Sequence, residues 1–209
     1  MTTDYKTEQE SFWAGKFGDD YIARNTGDAL LSSNMALFAR IMARCPGARS
    51  LIEFGANIGM NLRALHALFP GLDLEAIEIN DNAVAQLRAW GVLKQVHHGS
   101  ILEFAAERRW DVALIKGVLI HINPDYLAQV YDSLYRASRR YIVVVEYYNP
   151  TPVEVTYRGH AGRLFKRDFA GELLERHKGL RLLDYGFVYH RDPVFPQDDI
   201  TWFVLGKDD

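Results

Sequence analysis

The sequence predicts an α/β fold with one doubly wound, mostly parallel sheet of seven strands and one antiparallel strand at its edge. From about residue 50 onward, short apolar runs alternate with longer amphipathic runs, a pattern typical of strands connected by helices. The run 141–146 contains three consecutive valines, which suits a central strand buried on both faces. Two apolar runs after the last predicted helix supply the strands that complete the sheet.

The composition is that of a globular protein. The chain has 209 residues, 48% of them hydrophobic, and this length favours one large domain with a modest appendage. With 24 Lys and Arg against 27 Asp and Glu, the net charge is −3, so we expect no nucleic acid partner. No apolar run approaches the roughly 18 residues of a membrane helix, and the polar start lacks the features of a signal peptide. We therefore expect a cytoplasmic protein without a membrane partner.

Cysteine and histidine give no sign of a metal centre. Cys45 is the single cysteine, so an internal disulfide or a multi-thiolate site is excluded. Four histidines lie in the predicted sheet region, but they lack the tight spacing of metal ligands. These residues are His97, His98, His121 and His160. We expect no metal.

Each predicted element rests on a local pattern. Helices are predicted where apolar residues recur three and four positions apart, and Pro46-Gly47 and Pro70-Gly71 end two of them. The predicted helices cover residues 29–43, 61–69, 81–90, 124–139 and 168–176. The predicted strands cover residues 50–54, 72–79, 93–97, 111–115, 141–146, 182–189 and 200–205. The segment 147–165 predicts a long loop, and such loops are usually functional or disordered.

The first 28 residues predict an aromatic arm ahead of a domain that covers residues 29–209. Gly15 and Gly18 interrupt its aromatic cluster. The cluster consists of Phe12, Trp13, Phe17 and Tyr21. The arm could be a hinged lid over a pocket, or a hydrophobic segment held permanently against the core. The sequence supports both interpretations equally.

The connection after the first strand is the most informative segment. Gly55 and Gly59 lie between a strand and a helix, where glycine lets the backbone turn tightly and approach a ligand. The third glycine of the dinucleotide fingerprint is absent, which disfavours a pyrophosphate site. Glu78 ends the second strand, and an acidic group there can accept hydrogen bonds from ribose hydroxyls. Taken singly, these features also fit an ordinary turn and a solvated glutamate.

Two more segments follow strands at the same edge of the predicted sheet. Ser100 and Ile101 come after the third strand and could flank an adenine, while 116–122 follows the fourth strand. Candidate catalytic residues are those near this edge that can contact a substrate or take a proton. They are His121, Tyr147, Tyr148, Asn149 and His160. The alternative for His121 is a histidine that only packs at a turn, and the alternative for the loop residues is an ordinary solvated loop.

The motif E-x-G-x-N-x-G at 53–59, the acidic strand end and G-V-L-I-H-I at 117–122 together resemble class I S-adenosylmethionine-dependent methyltransferases, whose fold is Rossmann-like. More narrowly, six segments resemble the methylases associated with pseudaminic acid biosynthesis, so the likeness extends over nearly the whole chain. These segments are 34–44, 55–59, 117–125, 146–152, 157–160 and 164–169.

The resemblance implies S-adenosylmethionine as the cofactor and a set of residues that bind it. At the methionine end it implies Glu53, Gly55, Asn57 and Gly59, and in the arm Trp13, Tyr21 and Arg24. At the ribose it implies Glu78, Ile79 and Asn80, and at the adenine Ser100 and Ile101. On the other side of the cofactor it implies Lys116, Gly117 and Val118. Asn57 stands where the broader family has its middle glycine, which suggests an amide contact. Ser100 stands where an acidic residue is frequent.

Three functions fit this resemblance. The first is methyl transfer to a small polar metabolite, such as a sugar acid. The second is that of azetidine-2-carboxylate synthases, which resemble class I methyltransferases and cyclise S-adenosylmethionine with release of methylthioadenosine. Aromatic residues could hold the sulfonium in either enzyme. The third is a non-catalytic scaffold that binds the cofactor, because a fold does not determine a reaction.

Overall fold

The computed structural model of the protein describes residues 5–207. Its helices are α1 (Glu8–Ala14), α2 (Lys16–Ile22), α3 (Asp28–Met42), α4 (Met60–Leu68), α5 (Asp81–Trp90), α6 (Leu127–Ala137) and α7 (Phe169–Arg176). Its strands are β1 (Ser50–Phe54), β2 (Asp73–Glu78), β3 (Gln95–His98), β4 (Trp110–Lys116), β5 (Ser138–Glu146), β6 (Val153–Tyr157), β7 (His160–Lys166), β8 (Leu180–Val188) and β9 (Ile200–Lys207). Two short 3₁₀ helices, Leu119–His121 and Pro124–Tyr126, connect β4 to α6.

Seven strands form one sheet in the order β3-β2-β1-β4-β5-β9-β8. The strands β1 to β5 are parallel, and β9 is antiparallel to both β5 and the outermost strand β8. This confirms the predicted sheet, with the antiparallel strand one place in from the edge. The strand order reverses between β1 and β4, so a crevice opens at their carboxyl ends, the usual ligand site of such sheets.

The core lies on both faces of the sheet. Val143 and Val145 of β5 pack in a cluster with α3 and α4, while Ile142 and Val144 pack in the cluster with α6 and α7. The prediction that β5 is a buried central strand is confirmed. Among residues 5–207, none of the helices has the length and apolar character needed to cross a bilayer.

The prediction of a long loop over 147–165 was wrong from residue 153 onward. Strands β6 and β7 pair there as an antiparallel hairpin, with Val153 opposite Lys166 and Val155 opposite Leu164. The first strand of the hairpin, β6, alternates apolar and polar residues, but most of its side chains are exposed, and Leu164 alone is buried within the two strands. Contacts between β7 and the 3₁₀ helix after β4 hold it against the domain.

The helix predicted over 124–139 was too long at both ends. It begins with a 3₁₀ turn that has Pro124 in its first position, and α6 starts three residues later. At the other end, Ser138 leaves the helix and begins β5 with an extended backbone. The hydroxyl of Ser138 donates to the carbonyl of Tyr135, which gives one of the last helix carbonyls a partner.

Candidate functional site

The connection between β1 and α4 brings backbone close to the turn after β4. Gly55, with φ +74°, and Gly59, with φ +81°, both have left-handed backbone conformations. A Cβ atom at Gly55 would lie 2.7 Å from Cγ2 of Val118, and one at Gly59 would lie 2.7 Å from Cδ2 of Leu87. Both positions therefore require glycine by conformation and by packing. Asn57 between them has φ +50°, which asparagine tolerates better than most residues.

Glu53, the next-to-last residue of β1, is a completely buried carboxyl group. Its Oε1 accepts a hydrogen bond of 2.6 Å from Nδ2 of Asn61, while its Oε2 is buried without a partner among the described residues. Burial raises the pKa of Glu53 to about 8. An unpartnered buried oxygen is rare in folded proteins, so this atom fits a cationic ligand, whose charge would favour the ionised carboxylate and which would donate a hydrogen bond to it.

Glu78 ends β2, and its carboxyl group forms hydrogen bonds with the turn after β1 and with the turn after β2. One of its oxygens accepts the backbone N–H of Asn57 at 2.6 Å, and the other accepts those of Ile79 and Asn80 at 2.8 Å each. Burial raises the pKa of this carboxyl, against the effect of these hydrogen bonds. A carboxylate has about four acceptor positions, so three backbone donors leave Glu78 about one for a ligand.

Lys116 and Glu146 occupy the ends of β4 and β5. Burial lowers the pKa of Lys116, and the charges of Glu53, Asp198 and Glu146 oppose this shift. Glu146 accepts the N–H groups of Val118 and Leu119 at 2.9 Å each through Oε1, and burial raises its pKa to about 7. Its Oε2 is also buried and unpartnered within the described part of the chain.

Sequence reasoning missed Glu146 and Asp198 as site residues. An acidic residue directly after a buried valine strand is the same signal that identified Glu78, and it could have identified Glu146. Asp198 belongs to the loop between β8 and β9, and its charge also raises the pKa of the Tyr147 phenol, after the larger effect of burial. Only the tertiary fold brings that loop to this edge.

The arm crosses the carboxyl edge of the sheet above β1. The carbonyl of Trp13 accepts a hydrogen bond of 3.4 Å from Nδ2 of Asn80, which follows β2, and the Trp13 ring lies 4.6 Å from the ring of His121, which follows β4. Because β1 lies between β2 and β4, Trp13 spans the end of β1. The ring of Tyr21 lies 5.1 Å from that of Trp13.

Polar contacts attach the arm on two sides. On the β2 side, Asp19 accepts hydrogen bonds of 2.9 Å from Asn80 and from Asn82, and Ser100 donates to Glu10. On the hairpin side, the Gln9 amide donates to the carbonyl of Gly162 at 2.9 Å, and Arg163 pairs with Glu8 at 3.1 Å. The Arg24 side chain packs against rings of the arm itself: its guanidinium lies 5.5 Å from the centre of the Phe17 ring and 5.7 Å from that of the Tyr21 ring.

Two of the residues predicted to flank a nucleoside, Ile79 and Ser100, lie at one cleft beside β2 and β3. A cleft of about 270 Å³ opens there. It is lined by Tyr5, Lys6, Glu10, Ile79, Asp81, His98, Gly99, Ser100 and Glu103. Ile101 packs into the core instead, and the Ser100 hydroxyl accepts the N–H of Leu102 at 3.0 Å. Gly117 follows Lys116 with φ +66°.

His121 is buried and neutral at pH 7. Its Nδ1 donates a hydrogen bond of 2.5 Å to the carbonyl of Arg163, which leaves Nε2 as an acceptor. Burial lowers its pKa to about 4. Its ring lies 4.9 Å from that of Tyr157, so the hairpin closes one side of the aromatic cluster around Trp13.

The other candidate catalytic residues lie farther out. Tyr147 is half-buried at the end of β5, burial raises its pKa, and Nζ of Lys166 lies 5.0 Å from its ring. Tyr148 is 43% exposed and faces Phe203 of β9, 6.3 Å away between ring centres. The Asn149 amide donates to the carbonyl of Thr151. His160 is exposed, with its ring 5.2 Å from that of Phe12.

The charged groups at this edge form no metal centre: residues 5–207 contain no cluster of three or more His, Cys, Asp or Glu side chains arranged to hold an ion. The described part of the edge instead presents four buried polar atoms without partners. They are Glu53 Oε2, Asn57 Oδ1, Glu146 Oε2 and Trp13 Nε1. Three of these atoms are acceptors and one is a donor, which fits an organic ligand with both kinds of group.

Comparison with solved structures identifies the fold. The mitomycin 7-O-methyltransferase MmcR matches with a TM-score of 0.67 and 17% identity, over 97% of this chain and 61% of that one. The magnesium protoporphyrin IX methyltransferase ChlM from Synechocystis PCC 6803, solved with S-adenosylhomocysteine, matches with a TM-score of 0.72 and 14% identity, over 98% and 100%. The chain has the class I methyltransferase fold.

A third solved structure has the same fold. The glycopeptide N-methyltransferase MtfA, solved with S-adenosylmethionine, matches this class I methyltransferase fold with a TM-score of 0.64 and 14% identity, over 85% of this chain and 94% of that one. No protein-family model matches the sequence, and no curated protein sequence does. The likeness is therefore one of fold, and the reaction has to be argued from the site itself.

Proposed function

We propose that this protein is an S-adenosylmethionine-dependent methyltransferase that acts on a small polar metabolite. The observation that carries the proposal is the set of unpartnered polar atoms at the switch point of a class I methyltransferase fold. When bound, S-adenosylmethionine supplies a methyl group on a positively charged sulfur. The three solved enzymes compared above are all methyltransferases, which supports the same class of reaction here.

The residues at the edge fit the parts of S-adenosylmethionine. Glu53 Oε2 and Asn57 Oδ1 are acceptors suited to the α-ammonium group, and the remaining acceptor position of Glu78 suits a ribose hydroxyl. The cleft beside Ile79 and Ser100 has room for the adenine. In this proposal the arm acts as a lid, because it crosses the edge directly above β1.

The acceptor is proposed to enter between the arm and the β6–β7 hairpin. There Nε2 of the neutral His121 can accept a hydrogen bond from a hydroxyl or amine, and the fold holds its ring in place through Arg163. Lys166 places a positive charge near Tyr147, which would favour an acid. A sugar acid, the class suggested by the narrower resemblance of the sequence, is the first acceptor to test.

A second candidate is cyclisation of S-adenosylmethionine to azetidine-2-carboxylate and methylthioadenosine. One observation favours it: the rings of Trp13, His121 and Tyr157 pack within 4.6 to 6.5 Å of one another above β1 and β4, where an acceptor would have to lie. An enclosed aromatic compartment suits a sulfonium that reacts with its own amine, because no second substrate then has to enter.

One experiment separates the candidates. Purified protein is incubated with S-adenosylmethionine alone, and the products are resolved by liquid chromatography and mass spectrometry against an enzyme-free control. Intact S-adenosylmethionine, followed by S-adenosylhomocysteine on addition of sugar acids or other small polar acceptors, is the expected result. Methylthioadenosine with azetidine-2-carboxylate above the control would establish the cyclase instead. Absence of binding by calorimetry would overturn both candidates, and binding without product in any acceptor screen would leave a scaffold.

A further inference from the structure

The outer strand β8 presents large apolar side chains on one face of the sheet. Tyr185 pairs with Phe203 of β9, so its side chain lies on the face of Phe203, which packs against the core cluster that contains α7 residues. Phe187, two positions further along β8, lies on the same face. The ring of Tyr148, which follows β5, lies 6.3 Å from that of Phe203. We call this surface the β8 face; its members are Tyr148, Leu182, Tyr185, Phe187, Tyr189 and Phe203.

The apolar area that the β8 face exposes is close to what one half of a homodimer buries. Tyr148 is 43% exposed, Tyr189 46%, Phe187 55% and Tyr185 64%. Because each such side chain has about 150–250 Å² of surface, the four together expose roughly 300–500 Å². Leu182, which is also exposed, adds to this area. One partner of a standard interface buries about 800 Å², of which about 65%, or roughly 500 Å², is apolar in homodimers.

The β8 face lies apart from two clefts that the described residues form. One, of about 490 Å³, lies between α6 and α7, and the other, of about 270 Å³, lies beside β2 and β3. No member of the β8 face lines either of them. Small molecules bind in concave sites that enclose most of their surface, whereas a contiguous exposed apolar patch marks contact with a larger partner. The β8 face therefore fits another protein surface.

The members of the β8 face carry no charge, and charged groups beside it have partners in the same chain. At the end of β8, Nδ1 of His190 lies 2.8 Å from the carboxylate of Asp199. Arg167, which bridges to Tyr148, pairs with Glu172 at 2.7 Å. A second copy of the face would therefore meet no like charge within it. An uncharged face also lacks the charge pattern by which a different partner is usually selected.

We infer that the β8 face is the interface of a homodimer, in which two copies of the chain pack this face against each other about a two-fold axis. A two-fold interface uses the same patch on both copies, and such dimers are the commonest oligomers of soluble proteins. The partner covers the part of β8 that α7, with eight residues, leaves exposed. Because Tyr148 directly follows Tyr147, the partner also lies beside the ligand edge of the sheet.

Analytical ultracentrifugation without ligand, over about two decades of protein concentration, tests the inference. We expect a concentration-dependent dimer for the wild type and at least about a thirtyfold weaker dimer for Phe187→Glu, because each copy of the variant would bury a charge. The matched control is Phe69→Glu, an exposed ring at the end of α4, which should dimerise as the wild type does. A wild type that stays monomeric throughout, or a Phe187→Glu variant that dimerises as strongly as the wild type, would overturn the inference.

Should Phe187→Glu not fold, footprinting of the wild type with hydroxyl radicals decides the matter, because these radicals oxidise exposed aromatic rings. Tyr185 and Phe187 should be oxidised less at high than at low protein concentration, while oxidation of Phe69 should not change. Unchanged oxidation of Tyr185 and Phe187 would overturn the inference. Neither experiment uses S-adenosylmethionine, so failure of the dimer leaves the proposed function standing.

Discussion

Gly55 controls how closely the connection after β1 approaches the turn after β4. Its backbone is left-handed, and a side chain there would overlap Val118. Gly117 has a similar backbone conformation, but a Cβ atom on it would meet no described atom within 4 Å. Substitution of Gly117 therefore measures the destabilisation from backbone strain alone, and substitution of Gly55 measures strain and side-chain overlap together.

Substitution of these glycines should destabilise the protein to different extents. We expect Gly117→Ala to lower the free energy of unfolding by about 1 kcal/mol, from backbone strain alone, and Gly55→Ala by about 2 to 3 kcal/mol, because overlap adds to the strain. Urea denaturation of the two variants and the wild type measures both values. Equal losses would show that Val118 moves aside freely.

At the residue scale, sequence reasoning succeeded where a residue type follows from its local position. Gly55 and Gly59 were expected at a tight connection, and both have positive φ. His121 shows the limit of this reasoning. Its partner, the carbonyl of Arg163, lies 42 positions away in the chain, on a strand that the sequence pattern did not predict.

At the scale of elements, the arm depends on close packing between α1 and α2. Gly18 is buried in α2, and a Cβ atom on it would lie 1.9 Å from the carbonyl oxygen of Trp13. Such a distance forces one of the two short helices to move. The contacts of the arm with Asn80 are polar and those with the hairpin are both polar and aromatic, whereas the core of the sheet lies elsewhere.

The variant Gly18→Ala should displace the arm without unfolding the domain. We expect at least a fivefold loss of affinity for S-adenosylmethionine, measured by calorimetry, with less than about 1 kcal/mol change in the free energy of unfolding. The matched control is Asp20→Ala, an exposed residue of the same helix, which should change neither quantity. A large loss of stability with unaltered affinity would mean that the arm is a structural part of the core.

The hairpin shows why one element escaped prediction. Its first strand alternates apolar and polar residues from Val153 to Tyr157, but Pro150, Pro152 and two glycines in the same segment led to the prediction of a loop. The hairpin is held by pairing between its own strands and by contact with the turn after β4. The contact with that turn joins residues as far apart in the chain as His121 and Arg163, 42 positions, and a local sequence pattern does not contain it.

At the scale of the whole molecule, the fold concentrates carboxyl groups at one edge. The carboxyls of Glu53, Glu78 and Glu146 lie at or next to the carboxyl ends of three of the four central parallel strands, and all three are buried. Burial raises the pKa of Glu53 to about 8 and that of Glu146 to about 7, above the ordinary value of 4.5. The folded protein therefore retains protons between pH 4.5 and pH 8 that the unfolded chain has released.

The stability of the ligand-free protein should consequently fall as the pH rises from 5 to 8. Because Gln cannot ionise, Glu53→Gln should show a shallower fall, by on the order of 3 kcal/mol over this range. Chemical denaturation at pH 5, 6.5 and 8 measures the two slopes. An identical slope in Glu53→Gln would show that this carboxyl does not carry the pH dependence. The exposed variant Glu103→Gln serves as the control and should follow the wild type.

Local sequence determined the strands, most helices and the glycine connection, because burial on one or both faces and tight turns each impose a pattern on neighbouring residues. The continuous apolar run in 141–146 and the spacing of glycines in 53–59 are enough to place an α/β sheet and its ligand edge. The tertiary structure alone decided that Trp13, Asp198 and the β6–β7 hairpin meet at that edge. Contacts between residues far apart in the chain depend on how the elements pack, and packing is a property of the whole fold.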